Sequence, residues 1–260
     1  MDRKLIIALG VAAVLVGACS SSPSPAESPA AAAPSISPPA STPSPTAPGY
    51  APSIDPANFV GTVDNPFFPL APGTTYVFEG TRDGKGQRDE FAVTSETKVV
   101  MGITSVVVRD TATRIADGTL IEKTDDWFAQ DQDGNVWYMG EDTKTFDAKG
   151  NVKSTEGSWE GGVDGALPGI VMPGDPQAPS TYRQEFYPGQ AQDMAWIVDL
   201  SQSVKVPFRR FDNVLETLEW SPLEPDVIEK KYYAAGFGLV FSTSAAGEVE
   251  DAKLVSVTQP

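Results

Sequence analysis

Turn glycines recur at Gly84, Gly102, Gly118, Gly134 and Gly150, at intervals of 18, 16, 16 and 16 residues. Three of them follow aspartate, in Asp83-Gly84, Asp117-Gly118 and Asp133-Gly134, the dipeptide that tight hairpins favour because glycine takes a positive φ at little cost. Between the turns lie runs rich in β-branched and aromatic residues, and these predict strands over residues 103–116, 119–130 and 136–147. A chain punctuated this way folds most simply as a long-stranded antiparallel meander: an all-β domain forming a curved sheet, a sandwich or a partly open barrel. The segments share little beyond their turns, which favours a meander over a propeller.

In the second of these strands Ile121, Trp127 and Ala129 fall on one parity and Glu122, Thr124 and Asp126 on the other, as a sheet with one wet face requires. Lys123, Asp125 and Phe128 break the pattern and point to a bulge or a frayed edge. Residues 154–190 differ in texture, with seven glycines and five prolines in 37 positions. The expectation is a structureless connection, either pinned across one end of the domain or working as a lid over a ligand. Strands then resume over 197–206, 213–221, 227–234, 237–243 and 253–258, with helical spacing over 193–200 as an alternative.

The amino-terminal part is of another kind. Residues 1–18 read as an export signal: Arg3 and Lys4 precede an apolar stretch from Leu5 to Ala18, too short for a bilayer span of about 20 residues. The chain's single cysteine, Cys19, follows Leu15-Val16-Gly17-Ala18. This arrangement resembles the lipobox of bacterial lipoproteins. The resemblance implies that Cys19 carries a diacylglyceryl group, becomes residue one of the mature chain and holds the protein at the extracytoplasmic face of the cell membrane. Residues 20–48 contain nine prolines and one charge, Glu27, so residues 19–49 are expected to form a lipidated cysteine with a disordered, extended linker that spaces a domain of residues 50–260 from the membrane.

Charge and missing residue types exclude several functions. The chain carries 35 acidic and 19 basic residues, and loss of Asp2, Arg3 and Lys4 with the signal leaves 34 against 17, a net charge of −17. Nucleic acid is therefore not an expected partner, since its binding draws on clustered Lys and Arg. There is no histidine, so a Ser-His-Asp triad, a His-ligated metal and an imidazole proton shuttle are all impossible. No cofactor and no metal are expected.

Two constellations carry the remaining chemistry. The stretch 124–142 holds paired carboxylates beside tryptophans, a pattern for glycoside hydrolysis with Asp126 as the residue to test. It also places Asp131, Asp133, Asn135 and Asp142 at positions one, three, five and twelve of an EF-hand-like loop. Val136 stands where that loop needs glycine, however, and a plain hairpin turn explains the same residues. The second constellation is aromatic. Most of the rings are expected in the core, while Trp159, Tyr182 and Tyr187, lying in the Gly/Pro-rich region, are the candidates for contacting a ligand.

The stretch Asn65-Pro66-Phe67-Phe68-Pro69-Leu70-Ala71-Pro72-Gly73-Thr74-Thr75-Tyr76-Val77-Phe78-Glu79-Gly80 resembles the opening phrase of a group of exported bacterial β-rich domains, and Tyr232-Tyr233-Ala234-Ala235-Gly236-Phe237-Gly238-Leu239-Val240 is similar to a phrase near their end, with Ala235 where proline is frequent. The resemblance implies one exported domain over about residues 58–244 and carries no catalytic residue across. Taken together, the expectation is a membrane-anchored extracytoplasmic domain that binds or scaffolds and is not an enzyme. The alternatives are a carrier of an apolar, lipid-like ligand and a carboxylate-based hydrolase of envelope polysaccharide.

Overall fold

The computed structural model describes residues 49–82 and 84–260. Cys19, the signal, the linker and Asp83 lie outside the described residues. The unit spanning Pro52–Pro260 is built almost wholly of antiparallel strands: β1 (Phe59–Val60), β2 (Thr75–Arg82), β3 (Lys85–Val100), β4 (Ile103–Arg114), β5 (Leu120–Asp131), β6 (Val136–Phe146), β7 (Val152–Ser154), β8 (Trp159–Glu160), β9 (Leu167–Met172), β10 (Ser180–Arg183), β11 (Glu185–Phe186), β12 (Met194–Lys205), β13 (Arg210–Trp220), β14 (Ile228–Ala234), β15 (Gly238–Ala246) and β16 (Asp251–Thr258). Among the described residues, no helix is long and apolar enough to cross a membrane.

The sheet runs β10-β12-β13-β14-β15-β16-β2-β3-β4-β5-β6-β9-β11 and nearly closes into a barrel. Its two end strands, β10 and β11, are consecutive in the chain and separated by Gln184 alone. β10 pairs with β12 while β11 pairs with β9. The expected meander is therefore present from β2 to β6, with its hairpins at the turn glycines. At the best defined of these, Gly134 adopts a φ of +83° while the Asp131 carboxylate caps the turn through the backbone N–H groups of Asp133 and Asn135.

Two expectations are corrected here. Residues 154–190 are not a structureless connection: they supply β8 to β11, the strands that bring the sheet round on itself. Their glycines permit close approach of neighbouring backbone, as at Gly169, where an added Cβ would lie 2.4 Å from the Gln184 carbonyl carbon. Residues 193–200 form strand from Met194 and not helix, because ladder bonds to both β10 and β13 outweigh a short helical spacing.

A third correction concerns the face of β5. Glu122, Thr124 and Asp126 are 6%, 1% and 0% exposed; the parity read as wet points into the barrel. Trp127 and Ala129 lie on the outer face, in a second apolar cluster with Val107, Trp137 and Met139 that Ile54 and Phe59 cover. Phe128 then breaks nothing. It shares the interior face with Asp126, which is polar toward one end of the barrel and aromatic toward the other. A bulge does occur next to it, where Trp127 pairs with Gly140 and Phe128 with Tyr138. Gly140 has a φ of +137°, and a Cβ there would lie 2.4 Å from the Trp159 carbonyl oxygen, so only glycine fits the bulge.

Candidate functional site

The register divides the barrel interior into two halves. Toward the end that holds the β2–β3 and β4–β5 turns, the inward residues include Asp89, Asp110, Glu122, Asp126, Glu141, Glu219 and Glu229, all buried. Toward the end that holds the β3–β4 and β5–β6 turns they are Phe68, Tyr76, Phe78, Phe91, Phe128, Tyr138 and Tyr233.

The two phrases quoted above meet in the aromatic half. Asn65 fixes the first of them. Its side-chain amide donates to the carbonyls of Gly134 (2.9 Å) and Pro173 (3.0 Å), its Oδ1 accepts from the Phe67 N–H, and its own N–H bonds the Gln130 side chain. Anchored so, the following residues drive Phe68 and Leu70 inward, and the Phe68 ring sits 5.2 Å from that of Phe128. The second phrase turns at residues 235–237, and the Gly236 N–H donates to the Pro66 carbonyl at 2.7 Å.

A cavity of about 30 Å³ lies between them. Phe68, Pro69, Leu70, Tyr76 and Phe78 come from the first phrase, and Tyr233, Phe237, Gly238 and Leu239 from the second; only Phe91 and Lys231 come from elsewhere. Lys231 stands where the apolar pocket meets the acidic half. It is 5% exposed, and its ammonium bonds Glu219 at 2.9 Å and Glu229 at 3.3 Å. Burial opposes that charge, but the two carboxylates override it and hold the lysine pKa well above its usual range. Glu219 also accepts from the hydroxyls of Tyr233 (2.9 Å) and Thr217 (2.8 Å). Glu229 is raised by burial, in spite of Lys231. One ammonium thus serves two carboxylates, and the pocket floor carries no surplus positive charge.

Among the described residues no cation pairs with Asp110, Asp126, Glu141 or Glu185 in the way Lys231 pairs with Glu219 and Glu229. Asp126 lies opposite Glu141 across β5 and β6, and accepts one bond, 2.6 Å, from the Tyr138 hydroxyl. Asp89 accepts from the Gln87 amide at 2.8 Å. Burial pushes Asp89 and Asp126 each up to about 7, against those bonds. Asp110, Glu141 and Glu185 are raised well above the carboxylate range, by burial first and then by repulsion from neighbouring acids. Burial thus favours the protonated form of these groups, and both acids of the candidate hydrolytic pair are buried, Asp126 fully and Glu141 at 3% exposed.

The residues singled out from sequence are dispersed. Trp159 is 5% exposed in β8, packed edge-on to Tyr138 with ring centroids 5.4 Å apart, so it is core and not loop. Tyr182 donates its hydroxyl to the Val171 carbonyl at 3.3 Å, across the seam between β10 and β9, and Tyr187 bridges to Ala191. The pocket is lined by other residues. The calcium reading gives way to the hairpin. Asp131 Oδ1 accepts from the backbone N–H groups of Asp133 and Asn135, Oδ2 accepts from the Asn135 amide and the Trp137 indole, and Asp142 pairs with Lys144. Among the described residues no group of three or more acidic or thiol side chains is placed to hold a metal ion. No single lining residue is marked out by the sequence, whereas the two phrases that supply most of them are. For the acid cluster the visible signal was the Glu122-x-Thr124-x-Asp126 alternation, read with the wrong face inward.

No protein-family model matches the chain, and no curated protein matches it. Two solved structures are similar to it. One is a Bacteroides fragilis protein described as exported and as having a YmcC-like fold, with 16% identity, a TM-score of 0.44, and coverage of 74% of this chain and 99% of that one. The other is a Parabacteroides distasonis protein described as a lipoprotein, with 15% identity, a TM-score of 0.40, and coverage of 74% and 98%.

Proposed function

We propose that this protein is an extracytoplasmic binding domain, held to a membrane by lipid on Cys19, that seats a short apolar group of its ligand in the pocket between the two phrases. The observation that carries this reading is the convergence of nine of the eleven lining residues from two segments more than 150 positions apart. The cavity size sharpens it. A water needs roughly 10–15 Å³ of such space, so about 30 Å³ admits only a few heavy atoms. That volume favours a recognition pocket over a carrier that encloses a whole acyl chain.

The test is a titration calorimetry series on the mature chain carrying Cys19→Ala, with octyl glucoside below its micelle concentration as the probe. The wild-type pocket is expected to give saturable binding and a raised Tm, since a ligand selective for the folded state stabilises it. Leu239→Trp, which fills the pocket, removes both effects, whereas Leu239→Ala keeps them. Absence of binding to wild type, or equal binding to Leu239→Trp, discards the pocket. The anchor is tested separately: Cys19→Ala should move the exported protein out of the detergent phase, and unchanged partitioning discards the lipid.

A further inference from the structure

We infer that the pocket selects an anionic amphiphile taken up as a monomer, with its short apolar end among the rings and its anionic head, a phosphate or carboxylate, on the guanidinium of Arg209. This rests on the pocket reading above. Phe237 connects the two parts: it lines the pocket, and it carries the Arg209 guanidinium 4.3 Å from its ring centroid. The same guanidinium lies 4.5 Å from the Phe211 ring and 5.8 Å from the Phe208 ring, which is itself 36% exposed. Three aromatic faces therefore hold one exposed cation beside the apolar cavity.

The chemistry of a ring-held guanidinium points to an anion. Cation–π contact satisfies none of the group's N–H donors by hydrogen bonding, so those turned away from the rings remain able to bind a phosphate or carboxylate. Among the described residues Arg209 makes no ion pair, whereas Arg88, Arg109 and Arg210 each bond a carboxylate. In a chain with 35 acids and 19 bases, an exposed arginine that keeps clear of every carboxylate is conspicuous. Its neighbours add no competing acid in sequence: Arg209 lies on the turn between β12 and β13, residues 205–210 contain no acid, and Arg210 is already paired with Asp212. The chain as a whole carries a net charge of −16, which opposes the approach of anions, so an anion needs a specific cation such as this one. The paired Lys231 at the pocket floor offers no competing site.

The experiment extends the calorimetry to octyl phosphate and octyltrimethylammonium, beside octyl glucoside, on the same mature chain. Octyl phosphate is expected to bind at least tenfold more tightly than octyl glucoside, and octyltrimethylammonium most weakly. Arg209→Gln should bring octyl phosphate down to the glucoside level and leave the glucoside unchanged. Arg209→Lys, which keeps the charge and loses the fork, should fall between, and it supplies the answer if the glutamine variant does not fold. Equal affinity for the three probes, or no effect of Arg209→Gln on octyl phosphate, overturns the anionic specificity while leaving the pocket. Failure of all three to bind overturns the pocket too. Sedimentation with phosphatidylglycerol and phosphatidylcholine vesicles separates the source of the anion. Preferential, Arg209-dependent sedimentation with phosphatidylglycerol, without octyl phosphate binding, would make the site a membrane contact and overturn monomer uptake.

Discussion

The two halves of the barrel interior share strands β3, β5, β6 and β14, yet one is lined mainly by rings and the other by carboxylates. Along β5 the change occurs within two residues, from Asp126 to Phe128, both fully buried. In the aromatic half, burial itself stabilises, because each ring removes a large apolar area from water. In the acidic half, burial works against the charged state of every group it encloses, and the groups respond by holding protons. The difference teaches that an inward-facing position on a β-barrel need not be apolar. It needs only to be neutral or paired, and Lys231, at the boundary, shows the paired solution beside the protonated one.

The largest effects should come from breaking the aromatic half and the boundary. Phe128 stacks on Tyr138 with ring centroids 5.1 Å apart and contacts Phe68. Phe128→Ala is expected to cost about 3–5 kcal/mol in denaturant unfolding, with no change in how stability varies with pH. Lys231→Met should be of similar size, about 3–5 kcal/mol, because it strands two buried carboxylates. Adding Glu219→Gln and Glu229→Gln should restore most of the loss. If the triple variant is no more stable than the single one, Lys231 matters for reasons other than charge pairing.

Next in size is the pH response of the acidic half. Asp89 and Asp126 titrate at about 7 in the folded protein, against an ordinary aspartate value of 3.8. The folded state thus binds more protons than the unfolded one between those limits. Its extra stability is full below about pH 4 and is lost as the pH rises through 7. Tm should therefore fall between pH 5 and pH 8, and Asp126→Asn should flatten part of that fall by making pH 8 less unfavourable. A Tm that is level or rises over this range contradicts the protonated interior. At lower pH the exposed Asp117, Asp147, Asp199 and Asp212, whose pKa values are lowered chiefly by hydrogen bonds, act in the opposite direction.

The smallest effect should come from charge on the outer face of the same strands. Arg109 bonds Asp125 through two contacts, at 2.7 and 3.0 Å, but both side chains are about a third exposed. Arg109→Ala should cost less than about 1 kcal/mol and lose that effect in high salt. A larger loss would mean that the outer face resembles the interior more than its exposure indicates.

Much of the fold was legible in the residues. The turn glycines mark the hairpins from β2 to β6 to within a few residues, with an aspartate before the glycine in all but the β3–β4 turn, since positive φ is a local requirement. The Gly/Pro-rich region was misread for an equally physical reason. β8 and β11 are two residues each and β10 is four, too short to show alternation, and they exist as strands only because the sheet edges they join are already in place. The candidate site was half legible. The two phrases stood out, but their meeting around one pocket depends on Asn65 bonding Gly134 and Pro173, residues distant in the chain.

By itself the sequence determined the all-β class, the hairpin rhythm, the exclusion of histidine chemistry, and the two faces of the strand that became β5. It did not determine which face turned inward. Alternation labels two sides and leaves their environment open, because an acidic row can be solvated or buried and protonated, and an apolar row can be core or lie under a covering segment. Closure of the sheet decided that question. It enclosed the row of Glu122, Thr124 and Asp126 and left Trp127 and Ala129 outside under Ile54 and Phe59. Curvature is a property of all the strands together, so no single strand's pattern contains it.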